Sequence, residues 1–227
     1  MRIISGNFKG RKILTPNDIK TRPLKDLTKE SIFNILKHSN KFNVEIKNSV
    51  ILDLFAGGGS FGIECLSNEA KYVTFVENYN GVLPILKKNL SNLKLDKKYE
   101  IIEQNIFNGL KLAKSNYDII FLDPPYKDKN ISELIDEIFK KNLLNKNGII
   151  ITHRSKNVKE KYSKNFRIFL DNLLSIIQHT NFSYYSNLFL FLSNFDCNKL
   201  KISQINLYLI SEELFDTLDL PFLHYIR

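Results

Sequence analysis

The feature that most constrains this chain is a repeated alternation between short apolar runs and amphipathic stretches, which begins near Ser49. The apolar runs have the length of strands, and the stretches between them have the spacing of helices. The strand candidates are residues 49–55, 72–77, 99–104, 117–123 and 148–153, and the helix candidates lie near 60–69, 80–93, 106–114 and 131–142. Nearly continuous apolar strands that alternate with helices are typical of a parallel sheet covered on both faces. The sequence therefore predicts an α/β fold with a doubly wound, mostly parallel sheet.

The remainder of the chain differs from this core in pattern and composition. Two short β-prone runs, residues 2–5 and 11–14, flank a glycine-containing turn and predict an N-terminal β-hairpin. A helical pattern follows Pro23, and aromatic residues accumulate past Asp171. We therefore predict three parts. Residues 1–40 form an N-terminal hairpin with a helix, residues 41–171 form the core domain, and residues 172–227 form a C-terminal segment of unknown role.

The charge of the chain is unevenly distributed. The formal net charge is +9, and residues 172–227 hold three basic against five acidic residues, so the whole basic excess lies in the first 171 residues. Such an excess favours a polyanionic partner, of which nucleic acid is the commonest. The alternative is a solvated lysine-rich surface.

Other classes of protein are disfavoured by what the sequence lacks. Cys65 and Cys197 are too few for a disulfide framework and do not form a C-x-x-C pair, and we expect no metal site. The N-terminus lacks the apolar core of a signal peptide, and no run of about 18 apolar residues is present that could span a membrane. We expect a cytoplasmic protein without a membrane partner.

A glycine-rich segment, Asp53 to Gly62, follows the first predicted strand. Glycines allow a tight turn and a close approach of the backbone to a ligand, and Ser60 is a candidate N-cap for the helix that follows. Glu77 closes the next predicted strand, where its carboxylate could accept hydrogen bonds from ribose hydroxyls. The pattern predicts a nucleotide-containing cofactor at this turn.

The same glycines leave two cofactor classes open. The spacing of Gly57, Gly59 and Gly62 satisfies the dinucleotide pattern of NAD-dependent oxidoreductases, although such a match alone is weak. Asp53 faces the place where a pyrophosphate would lie, and its charge would repel one. A cofactor with a cationic centre, such as S-adenosylmethionine, suits this carboxylate better.

The fourth predicted strand ends in the most specific motif of the chain, Asp123-Pro124-Pro125-Tyr126. Two prolines stiffen the loop and remove two backbone donors, which leaves carbonyl oxygens and a carboxylate as acceptors. Such acceptors suit the exocyclic amino group of a base, and Tyr126 could stack on that base once it is unpaired or flipped out. The alternative is an ordinary turn after a buried strand.

Taken together, these motifs resemble one known family. The chain carries, in this order, Arg2-Ile3-Ile4-Ser5-Gly6, Lys9-Gly10-Arg11, Thr21-Arg22-Pro23, Ser31-Ile32-Phe33-Asn34-Ile35-Leu36, Asp53-Leu54-Phe55-Ala56-Gly57 and Asp123-Pro124-Pro125-Tyr126. This order is similar to that of the RsmD family of 16S ribosomal RNA guanine-N2 methyltransferases. The resemblance covers residues 1 to about 171 and includes N-terminal pieces that most class I methyltransferases lack.

The resemblance implies a Rossmann-like class I methyltransferase that binds S-adenosylmethionine and methylates a guanine of ribosomal RNA. It implies that the substrate is the small subunit or an assembly intermediate, and that the enzyme is a monomer. The implied catalytic residues are Asp123, Pro124, Pro125 and Tyr126. The implied cofactor-binding residues are Asp53, Phe55, Ala56, Gly57, Gly59, Glu77, Asn78, Asn105 and Ile106. The implied RNA-binding residues are Arg2, Lys9, Arg11, Lys12, Thr21 and Arg22.

The chain departs from the family in three places. Asn105 stands where the family usually has an acid that reads the adenine amino group, and Thr152-His153 stands where a Glu-His pair is expected. We interpret His153 as structural, because N-methylation of this kind needs no imidazole base. The usual closing segment is not recognisable after Asp171, so residues 172–227 either supply a closing strand from a new sequence or are a poorly adapted extension.

Three further hypotheses stay open at this point. A protein glutamine N5-methyltransferase would share the sheet but typically carries Asn in place of Asp123. An NAD-dependent oxidoreductase is supported by the glycine spacing alone. A non-catalytic RNA-binding module would keep the basic surface and would not need Asp123 for its function.

Overall fold

The computed structural model describes residues 1–16, 24–38, 44–95, 97–112, 116–125, 130–155, 167–171 and 186–192. The helices are α1 (Asp26–His38), α2 (Ser60–Ser67), α3 (Leu83–Ser91) and α4 (Ile131–Lys140). The strands are β1 (Val50–Leu54), β2 (Tyr72–Glu77), β3 (Tyr99–Glu103), β4 (Tyr117–Leu122), β5 (Leu144–Ser155), β6 (Arg167–Asp171) and β7 (Ser186–Leu192). No helix among these described residues is both long and apolar enough to cross a membrane.

The strands form one sheet in the order β3-β2-β1-β4-β5-β7-β6. The first five strands are parallel to their neighbours, and β7 pairs antiparallel with both β5 and β6. The predicted α/β fold with a mostly parallel, doubly wound sheet is therefore confirmed. Because the strand order reverses between β1 and β4, the carboxyl ends of these two strands flank the crevice where ligands bind in such sheets.

The sheet is covered on both faces, as its apolar strands require. One buried cluster joins α1, α2 and α3 to one face, and there the Phe61 and Phe121 rings stack at 4.0 Å between centroids. The other cluster joins α4 to the opposite face through residues such as Ile120, Leu122 and Ile135. Alternate residues of each strand thus point into different clusters, as the two-residue period of a strand dictates.

One predicted helix and one predicted cap are wrong. The helix near 106–114 is reduced to a short 3-10 turn at Ile106–Asn108, because Gly109 at φ 90° leaves the helical conformation. The N-cap of α2 is Gly59, at φ 85°, and Ser60 is already the first helical residue. A residue in the left-handed conformation is tolerated here because glycine has no Cβ.

The N-terminal segment, defined here as residues 1–14, folds back on itself without forming named strands. A single antiparallel bridge joins Arg2 to Lys12, and a 3-10 turn at Gly6–Phe8 connects the two arms. The predicted hairpin is therefore not confirmed as a strand pair. Hydrogen bonds from Ile3 N to Arg11 O (2.9 Å) and from Ile13 N to Met1 O (3.0 Å) keep the arms together.

A buried carboxylate attaches this segment to α2. Glu64 accepts hydrogen bonds from the backbone N–H groups of Ile4 (2.9 Å) and Ser5 (2.7 Å), and from the Ser5 hydroxyl (2.9 Å). Lys29 of α1, whose side chain is fully buried, lies 3.3 Å from the same carboxylate and donates to Arg2 O at 2.7 Å. The buried charges are thus paired and hydrogen-bonded, which a buried ion pair requires.

Candidate active site at the carboxyl ends of the strands

The segment after β1 is a tight turn built on left-handed residues. Phe55, Gly57 and Gly59 have φ angles of 60°, 56° and 85°. The Gly59 N–H donates to Ala56 O at 2.8 Å and closes the turn immediately before α2. A positive φ is strained for a bulky residue such as Phe55, so the surrounding contacts must hold it in place.

Two carboxylates from strand ends hold this cofactor loop, defined as residues 53–59. Asp53, at the end of β1, accepts from the Gly62 N–H at 2.9 Å. Glu77 is the last residue of β2 and accepts from the N–H groups of Gly57 (2.8 Å), Asn78 (2.8 Å) and Tyr79 (2.9 Å). Glu77 therefore binds the loop at Gly57, and Asp53 links the loop to the first turn of α2.

Asp53 is electrostatically unusual. Its side chain is 1% exposed, and burial raises the pKa of this carboxyl to about 8, against the lowering effect of the Gly62 hydrogen bond. The charges of Asp123 and Glu77 raise the pKa further. Three carboxylates therefore converge on adjacent strand ends, an environment that favours a cationic ligand.

The end of β3 completes this half of the site. Asn105 caps the short 3-10 turn, and its Oδ1 accepts from the Phe107 N–H at 3.0 Å. Ile106 is buried, whereas Phe107 is 41% exposed and packs its ring against Phe55 at 5.6 Å between centroids. An apolar surface with one amide beside it thus lies next to the cofactor loop.

The segment after β4, defined here as the acceptor loop (residues 123–125), is held by side chains from β5. Asp123 Oδ1 lies 2.8 Å from His153 Nδ1, and Arg154 donates from Nη1 to Pro125 O at 3.2 Å. Pro124 is buried and Pro125 is exposed, while the Asp123 side chain is 21% exposed. Asp123 also lies close to the cofactor loop, because its N–H donates to Leu54 O at 3.5 Å and its charge raises the pKa of Asp53. Tyr126 lies outside the described residues.

Basic side chains cluster on the N-terminal segment. Arg2, Lys9, Arg11 and Lys12 are all exposed, and the Arg11 guanidinium lies 4.8 Å from the centroid of the Phe8 ring. Thr21 and Arg22, the other predicted RNA-binding residues, lie outside the described part of the chain. The structure thus brings four of the predicted cations together on one element.

A buried amide joins this basic segment to the cofactor loop. Asn89 of α3 accepts from Leu14 N at 2.9 Å and donates to both Leu14 O and Gly58 O at 2.9 Å. Sequence reasoning missed Asn89, Glu64 and Arg154, all of them buried polar residues. The signal available for Glu64 was an acid within an apolar helical run, where a buried partner is obligatory.

The fold and this arrangement of loops define a class I methyltransferase. The solved structures that resemble the chain include yhhF from Escherichia coli, provisionally assigned as a methyltransferase. It superposes with a TM-score of 0.68 at 25% identity, over 85% of this chain and 98% of that one.

Sequence comparison places the chain within one family of that class. The family described as Conserved hypothetical protein 95 matches residues 1–173, and the chain belongs to it. The protein named Ribosomal RNA small subunit methyltransferase D of Buchnera aphidicola is 36% identical over 177 residues, which are 78% of this chain and 89% of that protein. Its namesake from Haemophilus influenzae is 34% identical, over 79% of this chain and 91% of its own length. The resemblance to the RsmD family is thereby confirmed.

Proposed function

We propose that this protein transfers a methyl group from S-adenosylmethionine to the exocyclic N2 of a guanine in small-subunit ribosomal RNA. The observation that carries the proposal is the closeness of the two loops: the Asp123 N–H donates to Leu54 O at 3.5 Å, and the charge of Asp123 raises the pKa of Asp53. The names of the relatives support ribosomal RNA of the small subunit as the substrate. The choice of guanine N2 rests on the family resemblance and on the acceptors of the loop.

The residues of the cofactor loop fit S-adenosylmethionine in charge. Burial, together with the charges of Asp123 and Glu77, raises the pKa of Asp53, and a bound cation would favour its ionised form. When bound, S-adenosylmethionine supplies an electrophilic methyl group on a positively charged sulfur. The residues that would hold it are Asp53, Phe55, Ala56, Gly57, Gly59, Glu77, Asn78, Asn105 and Ile106.

Glu77 has limited room for the ribose. Its two oxygens already accept three backbone N–H groups, and a carboxylate offers about four acceptor positions. While Glu77 holds the turn, it can therefore take about one ribose hydroxyl. The loop and its ligand share this carboxylate.

The acceptor loop would activate the target amine. The lone pair of an exocyclic amino group is delocalised into the base, so the group is a poor nucleophile. Asp123 Oδ2 and the Pro124 carbonyl would accept its two N–H groups, which favours a pyramidal nitrogen and directs the lone pair towards the methyl group. Asp123 would then accept the proton that the methylated nitrogen releases, and Tyr126 would stack on the base.

The basic N-terminal segment would hold the RNA next to this site. Exposed Arg2, Lys9, Arg11 and Lys12 supply cations for phosphate contacts, and Thr21 and Arg22 would extend the same surface. The attachment through Glu64 and Asn89 fixes the segment relative to α2 and the cofactor loop. We further propose that the enzyme acts as a cytoplasmic monomer on the small subunit or an assembly intermediate.

Transfer of labelled methyl to undermethylated small subunits tests the proposal. We expect label on N2 of one guanine with the wild type, and a loss of about 100-fold or more in Asp123→Ala with S-adenosylmethionine binding retained. Glu133→Ala, which removes an exposed carboxylate of α4, is the matched control and should keep full activity. Label on a protein glutamine, or no label despite cofactor binding, would contradict the proposal.

The RNA surface requires a separate measurement. Substitution of Arg2, Lys9, Arg11 and Lys12 by Ala should weaken RNA binding and flatten its salt dependence, while cofactor affinity stays unchanged. The control removes the same charge elsewhere, through Ala at four other exposed lysines, Lys71, Lys88, Lys94 and Lys97. Equal loss of binding in both variants would assign the effect to net charge and not to this segment.

A further inference from the structure

The acceptor loop lies beside an extension of β5 that passes beyond the end of β4. The last pairing between the two strands is Leu122 with Thr152. Past that point, His153 and Arg154 are paired through their backbones with Leu188 and Asn187 of β7. The extension is thus supported from the β7 side, and the side facing β4 is open to the loop.

Two consecutive side chains of this extension contact the loop at its two ends. His153 contacts the Asp123 carboxylate at 2.8 Å, and Arg154 donates to Pro125 O at 3.2 Å. Both side chains are buried, at 6% and 1% exposure. Neighbouring residues of a strand point to opposite faces, so the extension holds the loop from both sides of the sheet.

The loop depends on such support because its own backbone offers little. Pro124 and Pro125 have no N–H groups, so neither can donate a hydrogen bond to the Asp123 carboxylate. Among the described residues, the side-chain contact to this carboxylate comes from another element, through His153 Nδ1.

We propose that His153 is a positioning residue that engages Asp123 Oδ1 and leaves Oδ2 to accept the target amine. The inference deepens the proposed function and rests on it. An ionised carboxylate accepts only, so the contact requires a hydrogen on Nδ1, which selects one ring tautomer. With one oxygen engaged, the carboxylate cannot rotate about its Cβ–Cγ bond without losing that bond.

The ring is itself oriented by this contact. Among the described residues, His153 Nε2 is buried and has no hydrogen-bond partner, so the bond to Asp123 is the polar contact that sets the ring. We therefore expect His153 to affect the geometry of Asp123. Interpreted in this way, His153 acts through Asp123 and does not touch the substrate.

Three variants separate a donor role from a packing role. His153→Asn leaves a cavity but keeps an amide N–H donor at the δ position, close to where Nδ1 lies. His153→Leu keeps comparable volume but has no donor, and His153→Gln moves the donor one atom further out. Single-turnover methyl transfer and S-adenosylmethionine affinity are measured on the full 227-residue chain, with Asp123→Ala as reference.

A donor role predicts that His153→Leu and His153→Gln slow transfer by about 10- to 100-fold, while cofactor affinity changes less than about twofold. His153→Asn should restore the rate to within about fivefold of the wild type. The reverse ranking, with Leu active and Asn slow, or equal activity in all three, would overturn the inference while the proposed function stands. A wild type that transfers no methyl to RNA would overturn both.

Discussion

The two loops of the site are held in opposite ways. The cofactor loop is rich in glycine, its Gly57 N–H binds the Glu77 carboxylate at the end of β2, and its Asp53 binds the Gly62 N–H of α2. The acceptor loop is rich in proline, has few donors, and is held by side chains of β5. Glycine makes a loop that closes on itself, whereas proline makes a stiff loop that needs an external partner.

This difference predicts that damage to the two loops has different consequences. A substitution near the cofactor loop should disturb packing in the core and lower the stability of the fold, because α2 begins there and packs on the sheet. A change at the acceptor loop should affect the transfer step while the fold and cofactor binding survive.

The largest effect is expected for Gly62→Ala in α2. A Cβ at this position would lie 2.3 Å from Phe75 Cε1 and 2.9 Å from Val73 Cγ1, both in the buried centre of the sheet. Helix and strand must separate, which we expect to cost about 3 kcal/mol in the free energy of unfolding. Urea unfolding measures this, and a loss below about 0.5 kcal/mol would show that the helix–sheet contact is adaptable.

Asp53→Asn tests the electrostatics of the cofactor loop through pH. The folded pKa of about 8 lies above the unfolded value of 3.8, so the carboxyl binds its proton more tightly in the folded state. Its contribution to stability is present at low pH and is lost as pH rises through about 8. Asn cannot ionise and can still accept from Gly62. As pH increases from about 5 to about 9, the free energy of unfolding of the variant should therefore rise relative to that of the wild type by more than about 1 kcal/mol.

The measurement is urea unfolding of both proteins across that pH range without cofactor. Parallel stability curves would mean that Asp53 is not a buried carboxyl of raised pKa. The same variant should bind S-adenosylmethionine more weakly, but should lose less affinity for the uncharged S-adenosylhomocysteine, because only the former carries a positive sulfur.

Pro125→Gly tests the stiffness of the acceptor loop. Glycine frees the backbone where proline restricts it, so ordering the loop around the target base should cost about 1 kcal/mol more. We expect transfer to slow by about fivefold with cofactor affinity unchanged. A parallel loss of cofactor affinity would show that the two loops are coupled.

The smallest effect is expected for Asn105→Asp at the end of β3. Asn105 Oδ1 already accepts from the Phe107 N–H, which leaves it one lone pair for a ligand. A carboxylate at this position offers more acceptor sites, so it should read the adenine amine better and tighten S-adenosylmethionine binding by about threefold. Calorimetry checks this, and weaker binding would show that added negative charge beside Glu77 and Asp53 dominates.

Much of this arrangement followed from local sequence. The alternation from Ser49 onward predicted the parallel strands, and the motifs at Asp53 and Asp123 were assigned to the ends of β1 and β4, where the structure has them. The helix near 106–114 failed because Gly109 interrupts a periodic pattern that hydrophobicity alone could not distinguish from a helix. His153 was interpreted as structural, and the structure shows that it contacts Asp123.

The sequence left the role of the C-terminal segment, residues 172–227, open. A closing strand from a new sequence was one of the two alternatives, and β7 (Ser186–Leu192) pairs with β5 in the described structure. The register that places β7 along the extension of β5 had no signal in the sequence. Pairing partners of a strand are chosen by the whole sheet, since any apolar run offers the same backbone donors and acceptors.

The sequence by itself determined the class of fold and the chemistry of both loops, because strand period, glycine turns and proline stiffness act over a few residues. Only the tertiary structure decided which side chains complete the site. Asp123 and His153 are 30 residues apart, and Gly58 and Asn89 are 31 apart. Such pairs form because each buried polar group must find a partner when the sheet and helices close, and that partner depends on packing rather than on neighbouring sequence.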